Sequence, residues 1–280
     1  MVEVIKTGLY STIQDGGRWG KAHLGVPVSG AMDAYAATLA NALLDNPKET
    51  AVLEMTMIGV TLKFHTSTTI AISGATMEAH LNDGQLSNYK VYHVNPNDTL
   101  RFGRVTQGYR TYLAIKGGFN TEEVLGSRSM YKGITKGSTL QKGGQLPVNN
   151  TNEDKGSSVK PEFKDTVSDK ILYAYKGPEF DALPQSAQEQ LLNNDFTVSN
   201  FNNRMAYQLE ELIENELAPI ITAPVLPGTV QLTPSGKLIV LMRDAQTTGG
   251  YPRVLQLTEM AINTLSQKMT ANRIIFRLKE

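Results

Sequence analysis

Short apolar runs separated by glycine and Asn/Asp turns constrain this chain more than any other feature. Between Ala51 and Leu146 they are Val52–Thr56, Val60–Phe64, Thr69–Ile72, Lys90–Val94, Thr99–Phe102 and Arg110–Ile115. The breaks fall at Ile58-Gly59, Ser73-Gly74 and Asn82-Asp83-Gly84. Runs this short do not supply the long 3.6-residue periodicity of a helical bundle. Their spacing predicts a mainly β protein built as antiparallel barrels or sandwiches. Helices are expected over Ala34–Leu44, with Ser29 as N-cap and Asp33 facing the helix dipole, over Ala187–Asn193, and from about Val254 to Gln267. A second strand-rich series runs from Ile171–Tyr175 to Arg273–Leu278. Val148 to Lys170 lies between the two series, reads Asn-Asn-Thr-Asn-Glu-Asp-Lys-Gly-Ser-Ser over 149–158, and holds almost no large apolar residue. The predicted domains are therefore 1–150 and 169–280, joined by a linker over 151–168.

Composition narrows the function classes. Lys+Arg and Asp+Glu both number 27 among 280 residues, so the formal net charge is zero. Binding to nucleic acid or a membrane surface through bulk charge is not expected. There is no cysteine, which excludes disulfides, thiolate nucleophiles and cysteine-based zinc sites. His23, His65, His80 and His93 lack metal-ligand spacing, so no metal site is predicted. No apolar run approaches the roughly 20 residues of a membrane span, and the first residues read as a strand rather than a signal peptide. A cytoplasmic protein is the expectation.

Two loops carry more hydrogen-bonding groups than their turns require. Arg243 to Pro252, after the apolar run Leu238–Met242, holds Asp244, Gln246, Thr247, Thr248, Gly249, Gly250 and Tyr251. Gly249-Gly250 can adopt positive φ and bring backbone N–H groups close to an anion or carbonyl, and the amide and hydroxyls can bind an amide-like group. Gln14-Asp15-Gly16-Gly17-Arg18 and Gly25–Asp33 form a second such region, with Ser29 and Asp33 and the only tryptophan. Asp15 and Arg18 can pair with each other or present opposite charges to one ligand. Arg128, between Ser127 and Ser129, is a candidate anion contact. Either region can also be a loop whose polar residues only satisfy their own backbone. If functional, the two are expected to face one cleft.

Gln14–Arg18 through Asp33, Gly126-Ser127-Arg128-Ser129, Asn203-Arg204-Met205, Gly228-Thr229-Val230-Gln231 and Asp244–Pro252, in this order, resemble the family of the 5-oxoprolinase C subunit. That family includes the Kip antagonist protein, allophanate hydrolase subunit 2 and the carboxyltransferase region of urea carboxylase. The resemblance implies two cyclophilin-like β-barrel domains. It also implies partnership with a Kip inhibitor-like B subunit and with an A subunit, in an assembly that opens 5-oxoproline (pyroglutamate) to glutamate with hydrolysis of ATP. Alternatives are a biotin-dependent carboxyltransferase component and a regulatory antagonist of a Kip inhibitor-like protein. Catalytic roles would fall to Asp15, Arg18 and Asp244. Substrate binding would fall to Gln14, Ser29, Asp33, Arg128, Arg204, Gln246, Thr247, Thr248, Gly249, Gly250 and Tyr251. ATP would act at the level of the complex, since neither a phosphate loop nor an Ala-Met-Lys-Met biotin acceptor is present. The chain departs from the family pattern at Met130, Ala206, Ala245 and Ala261-Ile262-Asn263, and its glycines after the Gly-Ser-Arg-Ser run are thinned to Gly133 and Gly137.

Overall fold

The computed structural model describes residues 1–149 and 165–279. The chain divides into two compact units, Met1–Trp19 with Ser29–Val167, and Gly20–Val28 with Ser168–Glu280. Residues 151–164 of the expected linker lie outside the described residues. At its end Thr166 is buried and donates to Asp33 Oδ2 at 3.1 Å.

In the first unit the strands are β1 (Val2–Lys6), β2 (Tyr10–Gln14), β3 (Val52–Thr56), β4 (Thr61–Phe64), β5 (Thr68–Leu81), β6 (Gly84–Leu86), β7 (Val91–Val94), β8 (Thr99–Ile115) and β9 (Gln145–Leu146). They form one curled antiparallel sheet, in the order β2-β3-β8-β4-β1-β9, with β5 joined to β6, β7 and β8. Val2, Val4, Leu53, Leu62, Phe64, Ile72, Leu100 and Leu113 are among the residues that fill its core.

β5 and β8 differ from the short strands read from the sequence. Ser73-Gly74, expected as a turn, is crossed by β5 without a break. Gly74 takes φ +78° there, and the β5–β8 register shifts next to it. The glycine thus absorbs a bulge that bends the strand instead of ending it.

Helix α1 (Ala34–Leu43) packs its alanines against Ala71, Tyr112 and Ala114. Its N-cap is Asp33 and not Ser29: Asp33 Oδ1 accepts from Ala36 N at 2.9 Å. Ser29 sits four residues earlier with φ +56°, buried and outside the helix.

The second unit contains β10 (Ile171–Lys176), α2 (Gln185–Asn193), β11 (Asp195–Asn202), β12 (Ala206–Leu212), β13 (Ala223–Pro224), β14 (Thr229–Leu232), β15 (Lys237–Leu241), β16 (Thr248–Gly249), β17 (Arg253–Leu257), α3 (Glu259–Ser266) and β18 (Arg273–Leu278). Seven strands close a barrel in the order β10-β17-β14-β15-β12-β11-β18. Closure leaves no exposed edge among them. Phe196 and Phe276 meet inside the second unit at 5.4 Å.

The helix expected from Val254 begins only at Glu259. Val254–Leu257 instead belong to β17, paired with β14 and β10. Thr258 separates the two elements and caps α3 by accepting from Ala261 N. The class is mainly β with few helices, as expected. No helix among the described residues is long and apolar enough to cross a membrane.

Candidate functional site

β2 ends at Gln14, and the chain then turns through Asp15-Gly16-Gly17. This turn and the Gly126–Ser129 loop are held together by one carboxylate. Asp15 Oδ1 accepts from Ser127 Oγ at 2.6 Å, Ser129 Oγ at 2.7 Å and Gly17 N at 2.9 Å. Asp15 Oδ2 accepts from Arg128 N at 2.6 Å. The serines of the Gly-Ser-Arg-Ser run are therefore anchors for Asp15. Gly30 packs against the same turn with φ +89°, and a Cβ on it would lie 3.1 Å from Asp15 O.

Of the two roles open to Asp15 and Arg18, pairing with each other is not the one formed, since Asp15 is taken by these donors. Arg18 is buried and donates to the carbonyls of Val124 and Ser129. Gln14 is also buried, donating to Thr12 Oγ1 and Met130 O. Asp33 is consumed as the α1 cap.

Beside this junction lies a cavity of about 620 Å³. Asp15, Gly16, Gly17, Gly126 and Arg128 line it from the two loops, with Trp19 at 64% exposure. Lys48, Glu49, Asn120 and Glu123, which sequence reasoning did not single out, complete its polar wall. Asn46-Pro47 signals only a helix stop, and Gly117-Gly118 only a turn. Nothing in either pattern announces a ligand-facing wall. Arg128 is the arginine that faces this space. Its guanidinium reaches Thr121 O and lies 3.6 Å from Glu123 Oε2. Lys48 and Glu49 form a second exposed pair at 3.4 Å.

Deeper in the same unit Glu54 is buried. It accepts from Met32 N at 2.8 Å and Tyr112 Oη at 2.9 Å, with Arg110 Nε 3.9 Å away. Burial first, and Glu54 second, push the Tyr112 hydroxyl well above the ordinary tyrosine range. Its hydroxyl holds the start of α1 by accepting from Asp33 N.

In the second unit Asp244 is neutralised by Arg204. Arg204 Nε and Nη2 donate to its two oxygens at 2.8 and 3.1 Å, and Asp244 N donates to Arg204 O at 2.9 Å. Both side chains are buried. Two residues expected in different roles thus form one buried clamp.

The rest of that loop is stitched to β13. Thr248 pairs with Pro224, Gly249 with Ala223, and Thr247 O accepts from Val225 N. Neither Gly249 nor Gly250 takes the positive φ expected of it. A Cβ on Gly249 would lie 2.3 Å from Gln231 Nε2, the end of a flexible side chain that can turn to admit it. Among the described residues, the buried atoms Gln231 Nε2 and Gln246 Oε1 have no hydrogen-bond partner. In the sequence Gln231 stands out only as part of a motif, not as a donor. Tyr251 is exposed at the end of the loop.

No group of His, Asp and Glu among the described residues has a metal-binding arrangement.

The family model for the carboxyltransferase domain, subdomains A and B, matches residues 24–278. The chain belongs to that family. Within it, the C subunit of 5-oxoprolinase from Escherichia coli K12 is 33% identical over 273 residues, 95% of this chain and 87% of that protein. The resemblance carried by the motifs is thereby borne out. Among solved structures, TTHA0988 aligns with a TM-score of 0.87 and 27% identity over 99% of the chain. The Kluyveromyces lactis urea carboxylase aligns with a TM-score of 0.89 and 28% identity over 98%. The chain spans only 55% of the former and 27% of the latter.

Proposed function

We propose that this chain is one component of an ATP-dependent 5-oxoprolinase that opens the lactam of 5-oxoproline to L-glutamate. Its partners in this reading are a Kip inhibitor-like B subunit and a homologue of the A subunit, in the cytoplasm. The observation that carries the reading is the cavity walled by the Asp15–Gly17 and Gly126–Arg128 loops, in a chain aligned with most of the 5-oxoprolinase C subunit.

Arg128 is the residue proposed to take the substrate carboxylate, with Lys48 as a second cation. Each already has an acidic neighbour: the exposed Lys48–Glu49 pair is worth only about 0–1 kcal/mol, and Glu123 is 3.6 Å from a half-buried Arg128, so a bidentate ligand can compete for both. Asp15 acts as a positioning residue. Its four hydrogen bonds fix the backbone of both loops and so the place of Arg128. In the second unit, the Arg204–Asp244 clamp is proposed to hold the loop of Gln246, Thr247, Thr248 and Tyr251, whose amide and hydroxyls can bind a polar group there.

The cavity does not fit ATP. Its lining carries three carboxylates, Asp15, Glu49 and Glu123, against two cations, Lys48 and Arg128. A triphosphate needs an excess of donors and positive charge. ATP binding is therefore assigned to the partner proteins.

The test is to purify the chain with homologues of its A and B partners and follow 5-oxoproline-dependent ATP hydrolysis. Turnover that requires this chain supports the reading, and turnover by the partners alone overturns it. The match to the carboxyltransferase family model favours a second reading, transfer of a carboxyl group from biotin supplied by a separate protein. Decarboxylation of free carboxybiotin by the chain would distinguish it.

A further inference from the structure

A second cavity, of about 680 Å³, opens on the first unit at the β1–β2 corner. Its apolar lining includes Ile5, Leu9, Ile58 and Phe102. Leu9 and Ile58 are 60% and 37% exposed, unusual for large apolar side chains side by side.

Three cations share this lining: Lys6, Arg101 and Lys142. Lys6 registers with Thr61 on β4, and Thr61 with Arg101 on β8. Cross-strand partners put their side chains on one face, so Lys6 and Arg101 flank Thr61 at about two strand spacings, roughly 10 Å. Lys142 joins them from the turn whose Gly143 N donates to Val4 O.

The lining contains no carboxylate. Glu3, the acid on β1, is held by His65 at 3.0 Å. Glu78 lies against Gly103, two residues along β8 from Arg101, without pairing to it. Among the described residues none of the three cations makes an ion pair.

The floor is rigid. A Cβ on Gly8 would lie 2.3 Å from Ile58 O, and one on Gly59 would lie 2.3 Å from Phe102 Cβ. Met57, next to Ile58, is held at φ +61°, a left-handed conformation that costs a residue with a side chain about 1–2 kcal/mol. Such strain persists where the surroundings fix it, and it is common at ligand clamps.

We infer that this cavity binds a molecule with an acidic head on an apolar body. The head pairs with Arg101, Lys6 and Lys142, and the body lies on Ile5, Leu9 and Ile58. The site is separate from the Asp15 cavity and does not depend on the reaction proposed there. A volume of this size suits a small ligand.

The test is isothermal titration of the purified chain with octanoate, octyl phosphate, octanol and acetate. Saturable binding is expected for octanoate or octyl phosphate, whichever head the site prefers. Octanol and acetate should bind more than tenfold more weakly, since each lacks half of the required chemistry. Added salt should weaken binding. Arg101→Ala should reduce affinity about fivefold, the upper range for one exposed ion pair, while Arg101→Lys keeps most of it. In the unsubstituted chain, the methyl signals of Leu9 and Ile58 should shift on titration. Octanol binding as well as octanoate, unchanged affinity in both Arg101→Ala and Lys142→Ala, shifts confined to other methyls, or no saturable binding would each overturn the assignment.

Discussion

The two polar loops look alike in sequence, and the structure uses their acids in opposite ways. Asp15 is held by neutral donors: two serine hydroxyls and two backbone N–H groups. Asp244 is neutralised by a buried arginine in a two-pronged contact. The first arrangement ties two loops together beside an open cavity and leaves Arg128 facing it. The second ties a loop to its own barrel. A run dense in acid, amide and glycine can therefore be either a site wall or a clamp, and the partners of the carboxylate decide which.

Removing one half of the clamp should have the largest effect. Arg204→Ala leaves Asp244 buried without its counter-charge, and should cost about 3–5 kcal/mol in urea unfolding. The double change Arg204→Leu with Asp244→Leu should recover much of that loss, because apolar packing replaces a buried pair at little net cost. Asp15→Asn should cost less, about 1.5–3 kcal/mol, since the serine hydroxyls can turn toward an amide oxygen. An Asp15→Asn loss as large as that of Arg204→Ala would break the contrast.

The pH limits of the two units should differ as well. Burial, and then Asp33, push the Tyr89 hydroxyl up to about 12, and burial, then Glu54, also raise that of Tyr112. An unfolded tyrosine ionises near 10. The stability these two neutral hydroxyls contribute is thus intact below about pH 10 and is lost as pH rises through their folded values. Glu179 behaves in the reverse sense. The side-chain hydrogen bond from Arg253 is the main cause holding its carboxyl below the usual range. Its contribution is present above the unfolded glutamate value of about 4.3 and fades as pH falls through the lower folded value. Melting temperature against pH should show a flatter alkaline limb in Tyr89→Phe and a flatter acid limb in Glu179→Gln.

The smallest effects separate the glycines. Gly30→Ala forces a side chain into a left-handed backbone and toward Asp15 O, and should cost about 1–2 kcal/mol. Gly250→Ala, whose φ is ordinary and whose Cβ would be 3.6 Å from Ile220 O, should stay within about 0.5 kcal/mol by thermal unfolding.

The β class, most strand positions and both polar loops were legible in the sequence, because short apolar runs and glycine punctuation are local signals. What was not legible depended on long-range pairing. Gly74 reads as a turn until β8 is found running beside it. Gly249 reads as a source of positive φ, while in the fold it pairs across a short sheet with Ala223, distant in sequence. Arg18, Arg128 and Arg204 all sit in polar, turn-rich runs. Only the fold shows that Arg18 is spent on carbonyls, Arg204 on Asp244, and that Arg128 faces a cavity.

Departures from the family pattern also find local reasons. In the run Ala261-Ile262-Asn263, where the resemblance leads one to expect an acid, Asn263 serves as a neutral acceptor for Arg243, which takes its carboxylate from Glu259. Ala245 packs with Val225 and Leu241. Met130 leans on the first core, and its carbonyl holds Gln14.

In the proposed function, the cavity beside Asp15 holds the substrate through Arg128. The most direct measurement is 5-oxoproline-dependent ATP hydrolysis by the assembled complex carrying Arg128→Ala, with folding and partner binding checked first. Loss of a charged substrate contact predicts a fall in kcat/KM of about thirtyfold or more, with Arg128→Lys in between. Turnover near that of the unsubstituted complex, with the assembly intact, would contradict the account.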